Sequence, residues 1–262
     1  MIKRIYKSIL SGKKRIGIRL CFEKKTAFLY KGKNFECNCC GKKFRKMKPK
    51  GNVLRKNAKC PYCGSLERTR LLLLYLEKET DIFTKESCKL LHWAPEWSLI
   101  PRFKQCASIE YIDADINPDF ANHVFNIESI PYPNDSFDYI ICSHVLGHVS
   151  NEQKAIEELY RVLKPSGKAL IMTVIDKTRE ETFENSSLTS PEDRLNYYSE
   201  PDLLRLHGLD FAQRLAHCFE VEENDYRKSF DEKFQKRFSL GDGNREIIFI
   251  CTKKFLLTPH SR

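Results

Sequence analysis

Four cysteines carry the most specific chemical signal in the sequence. Cys37-x-x-Cys40-Gly41 is echoed by Cys60-x-x-Cys63-Gly64, with nineteen residues between the pairs. That spacing falls in the window of a four-cysteine zinc site, in which thiolates at ~2.3 Å complete a tetrahedron around Zn²⁺. Two intervening residues let one tight turn present two sulfurs, and the following glycine lets the backbone fold past the metal. Cys39 competes with Cys40, but only Cys40 reproduces the Cys-Gly form of the second pair. The competing account is two unrelated pairs of buried cysteines. A closed four-sulfur site would be structural, stabilising a module too small to hold itself together. A second signal is the pair His144 and His148, just after the apolar run Tyr139-Ile140-Ile141-Cys142. Imidazole can take the proton of an attacking hydroxyl near neutral pH, and His148 could equally cap or pack locally. A third is Asp113-Ala114-Asp115, closing the apolar run that starts at Ser108.

Short apolar runs must position these groups. Lys89–Trp93, Ser108–Ile112, Phe137–Cys142 and Lys168–Ile175 alternate with helical patterns at Trp97–Cys106 and Asn151–Leu163. Such alternation predicts βαβ units and a parallel sheet, whose ligands sit beyond the carboxyl ends of the strands. The expected fold is therefore α/β. Asp115 lies nineteen residues after Glu96, the position from which a carboxylate accepts hydrogen bonds from ribose hydroxyls, with Asp113 as its rival.

Three segments together resemble the class I S-adenosylmethionine-dependent methyltransferases. They are Ile130-Pro131-Tyr132-Pro133-Asn134-Asp135-Ser136-Phe137-Asp138, then Ser143-His144-Val145-Leu146-Gly147-His148-Val149, then Glu157 to Gly167 through Lys164-Pro165-Ser166. The resemblance implies a Rossmann-like methyltransferase sheet with helices on both faces, joined here to a small N-terminal zinc ribbon. It makes His92-Trp93-Ala94-Pro95-Glu96 the first cofactor turn, with His92, Ala94, Pro95 and Glu96 near S-adenosylmethionine. This turn lacks the family's glycines, and small Ala94 is the residue that would let the backbone approach. A bacterial branch with a His-aromatic-Ala-Pro-Glu turn and a cysteine-rich front end is the nearest likeness. The same resemblance favours Asp115 over Asp113 as the ribose anchor and sets Asn126 and Ile127 beside the adenine. It also places Ser143, His144 and His148 in the loop next to the transferred methyl.

The 262 residues suffice for one α/β domain and a small extra module. The expected divisions are a basic amphipathic segment 1–34, a zinc ribbon 35–66, a linking helix 67–87, a methyltransferase domain 88–254 and a tail 255–262. Residues 1–70 hold 22 Lys/Arg against 3 Asp/Glu, whereas the remainder is acidic. A basic front end predicts contact with phosphates, of nucleic acid or anionic lipid, or simply a solvated face. Ile2, Ile5, Tyr6, Ile9 and Leu10 form a helical stripe among lysines, suited to a membrane surface or to docking on the chain itself. Ser65–Thr80 reads as a helix capped by Ser65, with Arg68 and Arg70 placed to hold a substrate anion or to pair with neighbouring acids. Residues 177–200 read as a lid or surface excursion, and Pro201–His217 as a helix. No apolar run spans a bilayer and no signal-peptide h-region is visible, so a cytoplasmic protein is expected, with peripheral placement at the inner membrane face as an alternative.

The function expected is metal-independent methyl transfer to a hydroxyl of a sugar or glycan precursor. The rivals are an RNA methyltransferase gripping phosphates with its ribbon, and a non-catalytic binding module on the same fold.

Overall fold

The computed structural model describes residues 12–254. The apolar stripe at Ile2–Leu10 and the tail 255–262 lie outside them. A helix α1 (Gly12–Thr26) leads through a 3-10 turn into two hairpins, β1 (Lys31–Cys37) with β2 (Lys42–Phe44) and β3 (Lys48–Lys50) with β4 (Arg55–Lys59). Helix α2 (Glu67–Lys78) then enters a seven-stranded sheet. Its strands are β5 (Cys88–Trp93), β6 (Ile109–Asp115), β7 (His123–Val124), β8 (Phe137–Ser143), β9 (Leu163–Met172), β12 (Phe219–Asn224) and β13 (Ile248–Lys253). The spatial order is β12-β13-β9-β8-β5-β6-β7. Strands β5 to β9 run parallel, and β13 is antiparallel to both of its neighbours. Strand order reverses at β5, between β6 and β8, which puts the topological switch point where β5 and β8 end.

Alternation along β5 explains why both faces are covered. Leu91 and Trp93 point into a core with α4 (Glu152–Val162) and α6 (Phe211–Ala216), while Cys88 and Leu90 meet α2 and α3 (Ile100–Lys104) on the other face. Leu71 to Leu74 and Leu76 of α2 are all buried. Burying each such side chain is worth roughly 1.5–3 kcal/mol, which is why this short helix is a fixed joint.

Three local expectations are corrected. Ser65 is not the cap of α2; the Leu66 N–H instead meets Thr69 Oγ1 at 3.4 Å. Ser65 is drawn into the cysteine cluster, with its Oγ 3.1 Å from Cys37 Sγ and its carbonyl accepting from Cys60 N–H. The Trp97–Cys106 pattern yields helix only over Ile100–Lys104, since Pro101 suits a first helical turn better than an interior. Pro201–His217 is not one helix: β11 (Arg205–Leu206) pairs with β10 (Phe183–Glu184), and only α6 is helical. Buried Arg205 pulls the chain straight there, donating to the carbonyls of Leu146 and Val149 and pairing with Glu184. Helix α5 (Pro191–Tyr198) lies in the excursion before it, and α7 (Glu232–Phe238) packs on β1 of the ribbon.

Candidate functional site

A cleft of about 500 Å³ opens at the carboxyl ends of β5, β6 and β8. It brings together Ala94, Asp115, Asn126, Ile127, His144 and His148, all anticipated from the sequence, with Trp93 and Phe120. A larger groove of about 680 Å³ lies between β4 and α7, away from the strand ends. His92, Pro95, Glu96 and Ser143 do not line the cleft. They lie behind it, because residues alternate across a strand and the turn reverses direction at Ala94. Ala94 has φ +46°, the left-handed geometry that glycine adopts without cost, and its N–H is held by the Ala114 carbonyl at 2.9 Å. The missing glycine is thus replaced by alanine in a glycine-type conformation.

The two aspartates of β6 part company. Asp113 is buried and accepts from Asn122 N–H and Nδ2 and from His123 Nδ1, so its oxygens are committed to the loop. Asp115 faces the cleft with Oδ1 accepting the Asn117 N–H at 2.8 Å. Burial pushes its carboxyl above the ordinary value, against the backbone hydrogen bonds that pull it down. Asn126 Oδ1 accepts the Glu128 N–H, which leaves its amide as a donor at the cleft.

Behind the turn runs a buried chain of ionisable groups. His92 is fully buried between the Tyr111 hydroxyl (3.1 Å) and Glu96 Oε2 (2.7 Å). Burial raises the Glu96 carboxyl, but the hydrogen bond and charge of His92, with the charge of Arg68, outweigh it and leave it low. Arg68 Nε approaches Glu96 Oε1 at 4.0 Å, and both atoms are buried without a hydrogen-bond partner.

His144 sits on the cleft's far wall with φ +58°, a strained conformation for a non-glycine residue and one typical of functional positions. Its Nε2 lies 3.2 Å from the Arg245 carbonyl. A carbonyl only accepts, so Nε2 carries the proton and Nδ1 keeps the lone pair. Burial first, then the positive charge of Arg68, holds this imidazole well below its ordinary pKa. It is therefore neutral at pH 7, with the Nδ1 lone pair unprotonated. His148 Nδ1 instead donates to the Asp202 carbonyl at 3.1 Å and ties the loop to the segment after α5.

The four anticipated cysteines also converge. The Sγ atoms of Cys37, Cys40, Cys60 and Cys63 all lie within 4.8 Å of one another, with Cys37–Cys63 at 3.6 Å and Cys40–Cys60 at 3.8 Å. Four sulfurs at ~2.3 Å from one tetrahedral ion would be about 3.8 Å apart, so the donor set fits Zn²⁺. Gly41 (φ +67°) and Gly64 (φ +77°) close the two knuckles. Cys39 Sγ turns instead toward the Thr69 carbonyl. Arg245, Glu200 and Asp202 lie in segments without a recognisable motif, so no spacing marks them in the sequence.

Residues 87–208 match a family model described as a methyltransferase domain. The uncharacterized methyltransferase YcgJ of Bacillus subtilis is 29% identical over 126 residues, which are 46% of this chain and 47% of that protein. The ubiquinone/menaquinone biosynthesis C-methyltransferase UbiE of Hydrogenovibrio crunogenus is 43% identical over 49 residues, 19% of each. The chain thus spans less than half the length of these curated relatives. The crystal structure of the Bacillus protein superposes with a TM-score of 0.44 at 18% identity, over 70% of this chain and 98% of that one.

Proposed function

We propose, on the match of residues 87–208 to a methyltransferase-domain model, that the protein transfers the methyl group of S-adenosylmethionine to a hydroxyl of a sugar or glycan precursor. The observation that carries this reading is the cleft itself, with Asp115 and Asn126 on one wall and a neutral His144 on the other. When bound, S-adenosylmethionine supplies an electrophilic methyl, so the protein has only to hold it, orient the acceptor and take one proton. Asp115 would accept hydrogen bonds from the ribose hydroxyls, Asn126 would donate to the adenine edge, and Ala94 would let the backbone approach. His144 Nδ1 would take the hydroxyl proton as the new bond forms. The four cysteines would hold a structural Zn²⁺ that fixes the ribbon against α2.

The partner we propose for the basic front end is an anionic membrane surface, which suits a lipid-carried acceptor. Phe22, Phe28 and Leu29 are exposed among Lys24, Lys25, Lys31 and Lys33, a basic and apolar face of the kind that enters a lipid headgroup layer. For RNA the ribbon offers less. Its Tyr62 and Tyr30 rings are each covered by lysines, Lys42 at 4.4 Å and Lys48 at 5.4 Å, rather than open for stacking by bases. Among the described residues no helix is long and apolar enough to cross a membrane.

The test is calorimetric titration with S-adenosylmethionine, followed by labelled methyl transfer into lysate fractions. Asp115→Ala should weaken binding by ~1.5–3 kcal/mol, the loss expected for a charge-assisted hydrogen bond, without unfolding the domain. Unchanged affinity in a folded Asp115→Ala protein refutes the placement. No affinity in the wild-type protein leaves only the binding-module reading.

A further inference from the structure

A second, inner chamber of about 200 Å³ adjoins the cleft, and His144, His148 and Asp202 line both. Its other walls include Arg68 from α2, Arg245 before β13, and Glu200, which shares the segment after α5 with Asp202. We propose that this chamber holds the acceptor, and that Arg68 and Arg245 bind an anionic group on it, a phosphate or a carboxylate. This rests on the methyltransferase reading above and adds the chemical class of the acceptor.

The polarity of the chamber carries the argument. The guanidiniums lie deep, with side-chain exposures of 18% for Arg68 and 16% for Arg245. The carboxylates lie toward solvent, at 35% for Glu200 and 73% for Asp202. The inner end is therefore cationic and the mouth acidic. Arg245 is held by Glu200 at 3.2 Å, whereas Arg68 Nε is buried with no hydrogen-bond partner. That atom is closed off toward Glu96, but no hydrogen bond among the described residues engages the Arg68 Nη atoms, which keep their donors for an anion. Glu96 does not take them. Its Oε2 is taken by His92, and its Oε1 remains 4.0 Å from Arg68. A phosphate or carboxylate presents two acceptor oxygens to a guanidinium fork, a match that a neutral hydroxyl cannot make. With its anion at the inner end, the acceptor would have to extend past His144 to reach the cleft. That passage sets its methyl-accepting hydroxyl beside the base, a short distance from the charge.

The experiment uses the full chain saturated with S-adenosylhomocysteine, titrated with inorganic phosphate, galacturonate and galactose. At least one anion should bind, and galacturonate or phosphate should bind about 10–100-fold tighter than neutral galactose. Arg245→Gln should erase that preference while leaving S-adenosylhomocysteine affinity near wild type; Arg68→Gln should erase it too, with a lower thermal midpoint because buried Glu96 loses its counter-charge. Arg68→Lys should recover only part of it, because a single ammonium replaces a fork. If one glutamine variant fails to fold, the other still reads the chamber. No binding of either anion at millimolar concentration, or a preference that survives in every folded glutamine variant, overturns the proposal. Phosphate alone binding points to a phosphorylated acceptor, and galacturonate alone to an acidic sugar. If S-adenosylhomocysteine itself does not bind, the methyltransferase reading fails. The anion titration in its absence still decides the chamber.

Discussion

Arg70 offers the sharpest test of how the ribbon is joined to the sheet domain. Its side chain is completely buried, and its nitrogens donate to four backbone carbonyls on three segments. Nη1 reaches Ser65 at 2.8 Å, Nη2 reaches Ala58 at 3.0 Å and Ser239 at 2.7 Å, and Nε reaches Phe238 at 2.7 Å. Two of these carbonyls belong to the end of α7, where the last carbonyls of any helix lack intrahelical donors and favour a cation. Arg70→Met keeps much of the volume but leaves all four acceptors dry. Each buried acceptor so orphaned costs about 1–3 kcal/mol, and the terms do not add because one relaxation serves several of them. Hydrogen bonds from a charged donor are worth about 1.5–3 kcal/mol each, and with only part of the four adding we expect a loss of about 3–5 kcal/mol. At about 2–4 °C per kcal/mol for a chain of this length, the thermal midpoint should fall by roughly 6–20 °C. Urea titration followed by tryptophan fluorescence measures the loss directly. Arg70→Lys should rescue little, since one ammonium cannot span three segments. A loss below about 1 kcal/mol, or full rescue by lysine, would show that the guanidinium is incidental and that the α2 leucines alone make the joint.

Three further outcomes are expected. Purified protein should carry one Zn²⁺ per chain by elemental analysis, and Cys60→Ser with Cys63→Ser should lose it; full retention of zinc in that variant would sink the site. His144→Asn, which tolerates the left-handed backbone, should lower turnover ~10²–10⁴-fold while S-adenosylmethionine affinity holds, whereas His148→Ala should mainly lower stability. Because His144 must be unprotonated to act and its folded pKa is depressed, the wild-type rate should stay flat as pH falls through 6.5 and decline only below; an inflection near 6.5 would assign the base elsewhere.

Much of this was readable in the chain because local spacing encodes it. The cysteine knuckles and the βα alternation depend on neighbours a few residues away, and the family resemblance separates Asp115 from Asp113. What spacing cannot encode is which side chain turns inward where distant segments meet. His92 and Glu96 read as cofactor contacts from their place in the first turn, yet the structure sets them behind it, where they meet Tyr111 and Arg68. The stretch 201–217 has helical spacing, but Arg205 finds carbonyl partners in the loop after β8 and straightens it. Ser65 would cap a helix in isolation, and the sulfurs beside it claim it instead.

The placement of His92 and Glu96 behind the turn has an identifiable physical cause. A turn that approaches a cofactor without glycine must hold Ala94 in a conformation that costs an L-residue about 1–2 kcal/mol. The cost is tolerable only where neighbouring structure over-determines the turn. Here the bracing comes from behind: His92 and Glu96 grip one another across the turn, Arg68 closes on Glu96 from α2, and α2 is fixed in turn by the knuckle and by Arg70. The cysteine module is thus mechanically continuous with the first turn of the cleft. Arg68, which closes on Glu96 at 4.0 Å behind the turn, also lines the inner chamber, so the bracing of the glycine-free turn and the charge selectivity proposed for the acceptor meet in one residue of α2.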